Sequence, residues 1–274
     1  MYGAIAGDII GSVYEWHNID HKDFKLFRRQ SHFTDDSAMT IAVGEALMKA
    51  EVEGSLSEEG AVTEYVIESM RHWGKEYPNC GFGGRFRAWL SAGSTEPYNS
   101  WGNGSAMRVS AAGWMEDDLQ KTRKLARWTA EVTHNHPEGI KGAEAVVSAI
   151  FLARSGAAKE EIKRYITDAF GYDLDRTCDE IRPGYGFDVS CQGSVPEAII
   201  SFLEGTDFED TIRNAVSLGG DSDTIAAIAG SIAEAFYGVP DDIKSECEER
   251  LPDDLKSILR EYTAIGYLSE GRQR

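Results

Sequence analysis

Apolar side chains return at helical spacing along most of the chain. Val62, Tyr65, Val66, Met70 and Trp73 share one face of a helix, as do Ile162, Tyr165, Ile166 and Ala169, and Leu255, Ile258, Leu259 and Tyr262, because positions so spaced meet on one side of successive turns. No segment alternates apolar and polar residues for long enough to suggest a strand, and no internal repeat is present. Stretches rich in Gly, Ser and Asn near residues 79–84, 91–105 and 182–194 read as loops between helices. Gly238 followed by Pro240 reads as a helix stop. With 274 residues and no disordered linker, the pattern predicts an all-α, single-domain fold packed around one core.

The most informative segment is Ser217-Leu218-Gly219-Gly220-Asp221-Ser222-Asp223-Thr224. Ile225, Ile228, Ala229, Ile232, Ala233 and Phe236 follow at helical spacing. On the other face Ala226, Ala227, Gly230 and Ala235 leave only Ser231 and Glu234 polar before Tyr237. A helix that is apolar nearly all round is expected to be central and buried. Carboxylates at its entrance are costly to desolvate unless they are paired or bind metal. Capping of orphan N–H groups accounts for one Asp there, not for both.

A second cluster, Phe33-Thr34-Asp35-Asp36-Ser37, opens a helix with Ala38, Ile41, Ala42 and Leu47 on one side. Asp-Asp also occurs at 117–118, 241–242 and 253–254, where solvated helix starts are expected, so the dipeptide alone says little. The neighbouring Thr, and the likeness to Asp221, Asp223 and Thr224, set the first pair apart. Together the clusters offer four carboxylates and two hydroxyls, a hard oxygen set suited to magnesium or manganese rather than zinc or copper.

Composition narrows the partners. Twenty-eight basic against 46 acidic residues leave a net charge of −18, which disfavours general nucleic-acid binding. A small anion remains compatible wherever metal ions or helix N-termini reverse the local field. The first residues carry no basic stretch ahead of an apolar run, and no run approaches the ~18 apolar residues of a membrane span. Cys80, Cys178, Cys191 and Cys247 form no C-x-x-C pair. A cytoplasmic protein with no membrane association is expected.

Other metal and nucleotide patterns are absent. Ala226 and Ile232 stand where an EF-hand starting at Asp221 needs Gly and Glu. The chain has no His-Asp dipeptide and no D-D-x-x-D. Gly81-Phe82-Gly83-Gly84-Arg85 lacks both the Lys-Ser/Thr of a P-loop and dinucleotide-fold spacing. Trp101-Gly102-Asn103-Gly104-Ser105-Ala106-Met107-Arg108 reads either as a glycine nest that lets backbone N–H groups approach a phosphate or as an ordinary Asn-Gly turn. The histidines of Thr133-His134-Asn135-His136-Pro137 are too close for a zinc pair and read as polar loop residues. Gly7-Asp8-Ile9-Ile10-Gly11-Ser12 suits close helix packing, and Glu15, taken alone, reads as a solvated helix end.

In this order the motifs resemble those of the ADP-ribosylglycohydrolase family, which includes the dinitrogenase reductase-activating glycohydrolases and the ADP-ribosyl-acceptor hydrolases. The resemblance spans nearly the whole chain. It rests on Gly7-Asp8-x-x-Gly11-Ser12 with Glu15, Thr34-Asp35-Asp36, Gly102 to Arg108, Thr133-His134, and Gly219-Gly220-Asp221-Ser222-Asp223-Thr224. It implies a compact orthogonal multi-helix bundle with two Mg2+, Mn2+ being able to substitute, held by Thr34, Asp35, Asp36, Asp221, Asp223 and Thr224. It also implies that the ADP-ribose diphosphate rests on Gly102, Asn103, Gly104, Ser105, Met107 and Arg108 and on the glycines around Gly83, with His134 near the distal ribose. The adenine-stacking aromatic stays open among Phe82, Tyr98 and Trp101.

The implied reaction is hydrolysis of the bond between ADP-ribose and an acceptor, by attack of a metal-bound water on a metal-oriented ribose. Asp36 and Glu15 are the candidates for proton transfer, beside Asp35. The implied partner is ADP-ribose or an ADP-ribosylated protein or small molecule, bound by a monomer. The alternatives are hydrolysis of a small ester such as O-acetyl-ADP-ribose and a non-catalytic ADP-ribose-binding homologue. Arginine, serine, an ester and a nucleobase all remain open as acceptors.

Overall fold

The structure is a computed structural model that describes residues 1–270, with side chains described to residue 265. Its helices are α1 (Tyr2–Gly11), α2 (Asp35–Val52), α3 (Glu59–Glu76), α4 (Gly84–Ser91), α5 (Gly104–Met107), α6 (Ala112–Met115), α7 (Leu119–Glu131), α8 (Pro137–Arg154), α9 (Lys159–Phe170), α10 (Cys178–Ile181), α11 (Cys191–Glu204), α12 (Phe208–Ser217), α13 (Ser222–Tyr237), α14 (Asp241–Arg250) and α15 (Asp253–Glu270). Among the described residues there is no sheet, only an isolated bridge between Gly102 and Ser190. The fold is all-α, as the periodicity predicts. Buried apolar residues from Met1 to Tyr262 form one continuous core, and no helix among the described residues is long and apolar enough to cross a membrane.

The centre of the fold is the pair α1 and α13. Every residue of α1 is buried, as is α13 from Ser222 to Ala233. Gly3, Gly7 and Gly11 lie along one side of α1, where no side chain separates the two backbones. A Cβ would come within 2.1 Å of Gly230 O at Gly3, 2.0 Å of Ala226 O at Gly7, and 2.5 Å of Asp223 Cα at Gly11. The helices therefore run antiparallel, and the end of α1 meets the start of α13. Around them pack α12, α11, α8 and α2.

Polar side chains at helix starts do the expected work of satisfying free N–H groups. Asp118 accepts from Lys121 N at 2.9 Å at the start of α7, and Asp207 accepts from Asp210 N at 2.7 Å at the start of α12. The Asp-Asp pairs at 241–242 and 253–254 open α14 and α15 and face solvent. The Gly/Ser/Asn-rich stretches are loops only in part, since α4 begins at Gly84, α5 at Gly104 and α11 at Cys191. At α11 the reason is local, because Ser190 caps the helix by accepting from Gly193 N at 3.1 Å. Phe236, expected on the buried face of α13, is 36% exposed, because it falls in the last turn, where α13 emerges from the core.

Candidate active site

Helix starts position the site. Thr34 caps α2, its Oγ1 accepting from Asp36 N at 3.3 Å, which sets Asp35 and Asp36 in the first turn. Gly219 and Gly220 adopt φ of 77° and 67°, a left-handed turn that glycine enters without strain and that delivers Asp221 and Asp223 to the start of α13. The two clusters, far apart in sequence, meet here. Thr224 Oγ1 donates to Asp36 Oδ2 at 3.2 Å.

Asp8 completes the constellation. It is fully buried inside α1 and accepts from Thr34 N at 2.9 Å, Thr34 Oγ1 at 2.7 Å, Ser37 N at 3.0 Å and the Ser37 hydroxyl. Carboxylate oxygens of Asp8, Asp36 and Asp223 lie within 4.8 Å of one another, and so do those of Glu15, Asp221 and Asp223. Asp223 belongs to both groups. The geometry is that of adjoining triads with a common member.

Electrostatics follows from this crowding. Burial first, then neighbouring carboxylates, drives Asp36 and Asp223 well above the usual carboxylate range. Burial followed by the charge of Asp8 pushes Asp35 up to about 8, and burial followed by Asp221 pushes Glu15 up to about 7. Burial also raises Asp8 and Asp221, although hydrogen bonds from Ser37 and Thr34 to the first, and from Asn103 to the second, act the other way. Asp36 Oδ1 is buried with no hydrogen-bond partner among the described residues. A buried, mutually repelling oxygen set with an orphaned ligand atom fits a hard divalent cation.

Outer residues hold the triads in register. Asn18 Nδ2 donates to Tyr14 O at 2.7 Å, Glu15 O at 3.1 Å and Gly220 O at 3.0 Å, while its Oδ1 accepts from Gly220 N at 3.0 Å. It thus ties the turn that carries Glu15 to the turn that carries Asp221. Asn103 Nδ2 donates to Asp221 Oδ2 at 2.6 Å and to Ser194 Oγ at 3.0 Å. Glu15, half-buried, is not a solvated helix end, because α1 stops at Gly11 and the chain turns back over the site.

The carboxylates open into a cavity of about 410 Å³ whose walls include Gly83, Gly102, Asn103, Gly104, Met107 and His134. Arg85 and Arg108 line it as well. They set two basic residues across the cavity from the carboxylates of an acidic protein. Arg108 is buried and donates to Thr129 O at 3.2 Å and Thr133 Oγ1 at 2.8 Å. Thr133 Oγ1 is in turn 2.7 Å from His134 Nδ1. His134 is buried rather than a polar loop residue, and burial, reinforced by Arg108 and Arg85, holds it well below the usual histidine range, hence neutral. Gly104 allows the approach, since a Cβ there would sit 3.1 Å from His134 Nε2. His136 instead caps α8, its Nδ1 accepting from Glu138 N at 3.1 Å.

One sequence expectation needs correction in detail. Ser105 does not face the cavity. It is fully buried, and its hydroxyl donates to Gly139 O at 2.7 Å, fastening the single turn α5 to α8. Thr34 points its hydroxyl at Asp8 and does not line the cavity. Among the aromatics, Phe82 is buried against Phe86 and Trp101 sets its ring edge-on to His136, whereas Tyr98 lines the cavity under the Arg85 guanidinium. Asp8, Asn18 and Arg85 were missed. Only Asp8 leaves a sequence signal, as the lone charge in an apolar helix.

The family model described as ADP-ribosylglycohydrolase matches residues 1–271. The chain belongs to the ADP-ribosylglycohydrolase family. As a member it is an enzyme, a glycohydrolase of ADP-ribose linkages. Relatives within and around the family include ADP-ribosylhydrolase ARH3 of Homo sapiens, 28% identical over 90% of this chain and 88% of its own length. The ADP-ribosyl-[dinitrogen reductase] glycohydrolase of Rhodospirillum rubrum is 28% identical over 94% of this chain and 90% of its own. A solved structure described as an ADP-ribosylglycohydrolase-related protein complex superposes with a TM-score of 0.69 at 22% identity, covering 93% of this chain and 92% of that one. It is similar in fold.

Proposed function

We propose that this ADP-ribosylglycohydrolase releases ADP-ribose from its acceptor by magnesium-dependent hydrolysis of the glycosidic bond. The observation that carries the reading is the pair of carboxylate triads joined through Asp223. Asp35, Asp36, Asp221, Asp223, Thr34 and Thr224, with Asp8 and Glu15 beside them, would hold a pair of divalent cations. When bound, such ions orient sugar hydroxyls and polarise water.

The chain's own residues supply the rest. Asn103 fixes the rotamer of Asp221, and Asp8 fixes the start of α2 through Thr34 and Ser37. Arg85 and Arg108 offset the charge of the diphosphate, and Gly102 and Gly104 let the backbone come close to it. Tyr98 offers its ring to the adenine. Cleavage builds positive charge on the ribose ring, and the carboxylates around it stabilise that charge. Glu15, which lines the cavity with its carboxylate close to those of Asp221 and Asp223, takes the proton from the attacking water. Asp36 is the second candidate for this role.

The test is ADP-ribose release from arginine-, serine- and carboxylate-linked substrates, with and without EDTA. The expected result is release from at least one substrate, its loss in EDTA, and a drop of about a hundredfold or more in Asp223→Asn. Undiminished release in EDTA, or by the Asn variant, would refute the proposal. A non-catalytic homologue would bind ADP-ribose and release none.

A further inference from the structure

Positive charge is scarce in this chain, with 28 basic residues against 46 acidic, yet one cavity outside the catalytic site gathers it. A hollow of about 580 Å³ lies between α3 and α4, lined by Arg71, Lys75 and Arg87 and by no carboxylate. Four other cavities among the described residues each have at least one Asp or Glu in their walls. The hollow shares no lining residue with the catalytic cavity, although α4 borders both. Gly84, Arg85 and Phe86 line the catalytic side, whereas Arg87 and Leu90 line the other.

The fold brings these cations together at a cost. Arg71 and Lys75 stand at i and i+4 on α3, where like charges repel. Between them Gly74 lets α4 approach, since a Cβ there would be 2.7 Å from Leu90 Cδ1, and Arg87 arrives with that helix. Arg71 is clamped in place. Its guanidinium lies 4.9 Å from the centroid of the Trp89 ring, and its Nη2 donates to Ala92 O at 3.1 Å and to Ser94 O. Those carbonyls are neutral and leave the charge uncompensated, and Arg71 Nε is buried with no hydrogen-bond partner among the described residues.

Lys75 and Arg87 are exposed, and their side-chain cations have no ion-pair or hydrogen-bond partner among the described residues. Glu76, the adjoining carboxylate in sequence, is not among the lining residues. One unpaired surface cation is ordinary. Three that converge on a concave surface without a counter-charge, in a chain with carboxylates in excess, leave a local positive field that attracts an anion.

We propose that this hollow is a phosphate-binding site. Lys75 and Arg87 donate to the phosphate oxygens, and Arg71 adds a third charge from a fixed position behind them. A phosphate suits the set better than a single carboxylate, because it offers a second negative charge and enough oxygens to meet a guanidinium fork and an ammonium together. Pro78 and Leu90 line the hollow beside the cations and leave an apolar place for the body of a phosphate ester. The site is separate from the glycohydrolase reading and does not depend on it.

Calorimetric titration with inorganic phosphate tests the proposal, in EDTA so that no metal draws phosphate to the catalytic carboxylates, and at an ionic strength held constant with chloride. The wild type should show one saturable site. Lys75→Ala and Arg87→Ala should each weaken it by about tenfold or more, the size expected for losing one charge-assisted hydrogen bond. Lys75→Arg keeps the charge and should stay within about threefold of the wild type. Arg85→Ala, which removes a charge on the catalytic side of α4, should leave phosphate affinity within about twofold. Phenyl phosphate, titrated in parallel, distinguishes the sources: tighter binding than inorganic phosphate assigns the site to a phosphate ester, and equal binding assigns it to the free anion. Absence of saturable binding would overturn the proposal. So would loss in Arg85→Ala with retention in Lys75→Ala and Arg87→Ala, which would put the anion in the catalytic cavity, or equal weakening in all three Ala variants, which would reflect only the general field of the protein.

Discussion

Asn18 is not among the residues that line the cavity, yet it ties together the turns that carry two of them, Glu15 and Asp221. Its amide closes hydrogen bonds to Tyr14 O, Glu15 O and both backbone groups of Gly220, so one side chain sets the distance between Glu15 and Asp221. Both of those carboxylates belong to the triad completed by Asp223. Residues that orient ligands from behind typically control affinity by about ten- to a hundredfold. Asn18→Ala should therefore weaken magnesium binding by about tenfold, read by calorimetric titration, while leaving the affinity of the Arg-lined wall for ADP-ribose nearly unchanged. Unaltered magnesium affinity would mean that the turns are held by packing alone. Asp8 acts differently, since it belongs to a triad and is also the acceptor for four donors of Thr34 and Ser37. A wholly buried carboxylate with that many donors is pre-positioned before any ion arrives.

At the scale of elements, the contact between α1 and α13 decides whether the site exists. Gly7 sits where a Cβ would fall 2.0 Å from Ala226 O and 2.5 Å from Ala227 N. These neighbours are backbone, which has no rotamer to move aside. Gly7→Ala should cost about 3 kcal/mol or more in urea unfolding, the upper range for overpacking, because the helices must separate. Gly60 in the first turn of α3 is the control. A Cβ there meets nothing within 4 Å, so Gly60→Ala should be neutral or gain about 0.5 kcal/mol from the lost flexibility of the unfolded chain. Equal destabilisation by both variants would contradict the close approach.

The same elements explain what could be read from the sequence. Amphipathic α3, α9 and α15 declare themselves because one face is apolar and the other is not, and α13 because it is apolar nearly all round. The Asp/Thr clusters stand out for the same reason: a carboxylate beside an apolar run needs an explanation. Single turns such as α5 and α10 give no periodicity, and Ser105 looked like a loop residue because four helical residues leave no pattern. Asn18 leaves no signal because the partner that gives it its role, the Gly220 backbone, lies 202 positions away, a relation that composition and spacing do not encode.

For the whole molecule, the governing fact is an excess of negative charge, −18 in total, concentrated locally where Asp8, Glu15, Asp35, Asp36, Asp221 and Asp223 converge. Folding without cations forces these groups together, and burial resists their ionisation. Asp35 is raised from 3.8 to about 8 and Glu15 from 4.5 to about 7. A carboxyl whose folded value lies above its unfolded value holds its proton more tightly in the folded state. The stabilisation is complete below the unfolded value and is lost as pH rises through the folded one. In EDTA the thermal midpoint should consequently fall as pH is raised from about 5 to about 8.5, a window that spans both shifted groups. Divalent cations bind the ionised carboxylates, so added magnesium should reverse that fall, raising the midpoint more at the alkaline end, where there are no protons left to displace. Differential scanning calorimetry at both pH values, with and without magnesium, measures the four midpoints directly. If the midpoint in EDTA rose with pH, or magnesium shifted it equally at both ends, the converging carboxylates would not be the groups that link folding to protons and to cations. The general self-repulsion of an acidic surface could not mimic the expected pattern, because salt at matched ionic strength screens the surface but leaves a buried cluster in need of a coordinated ion.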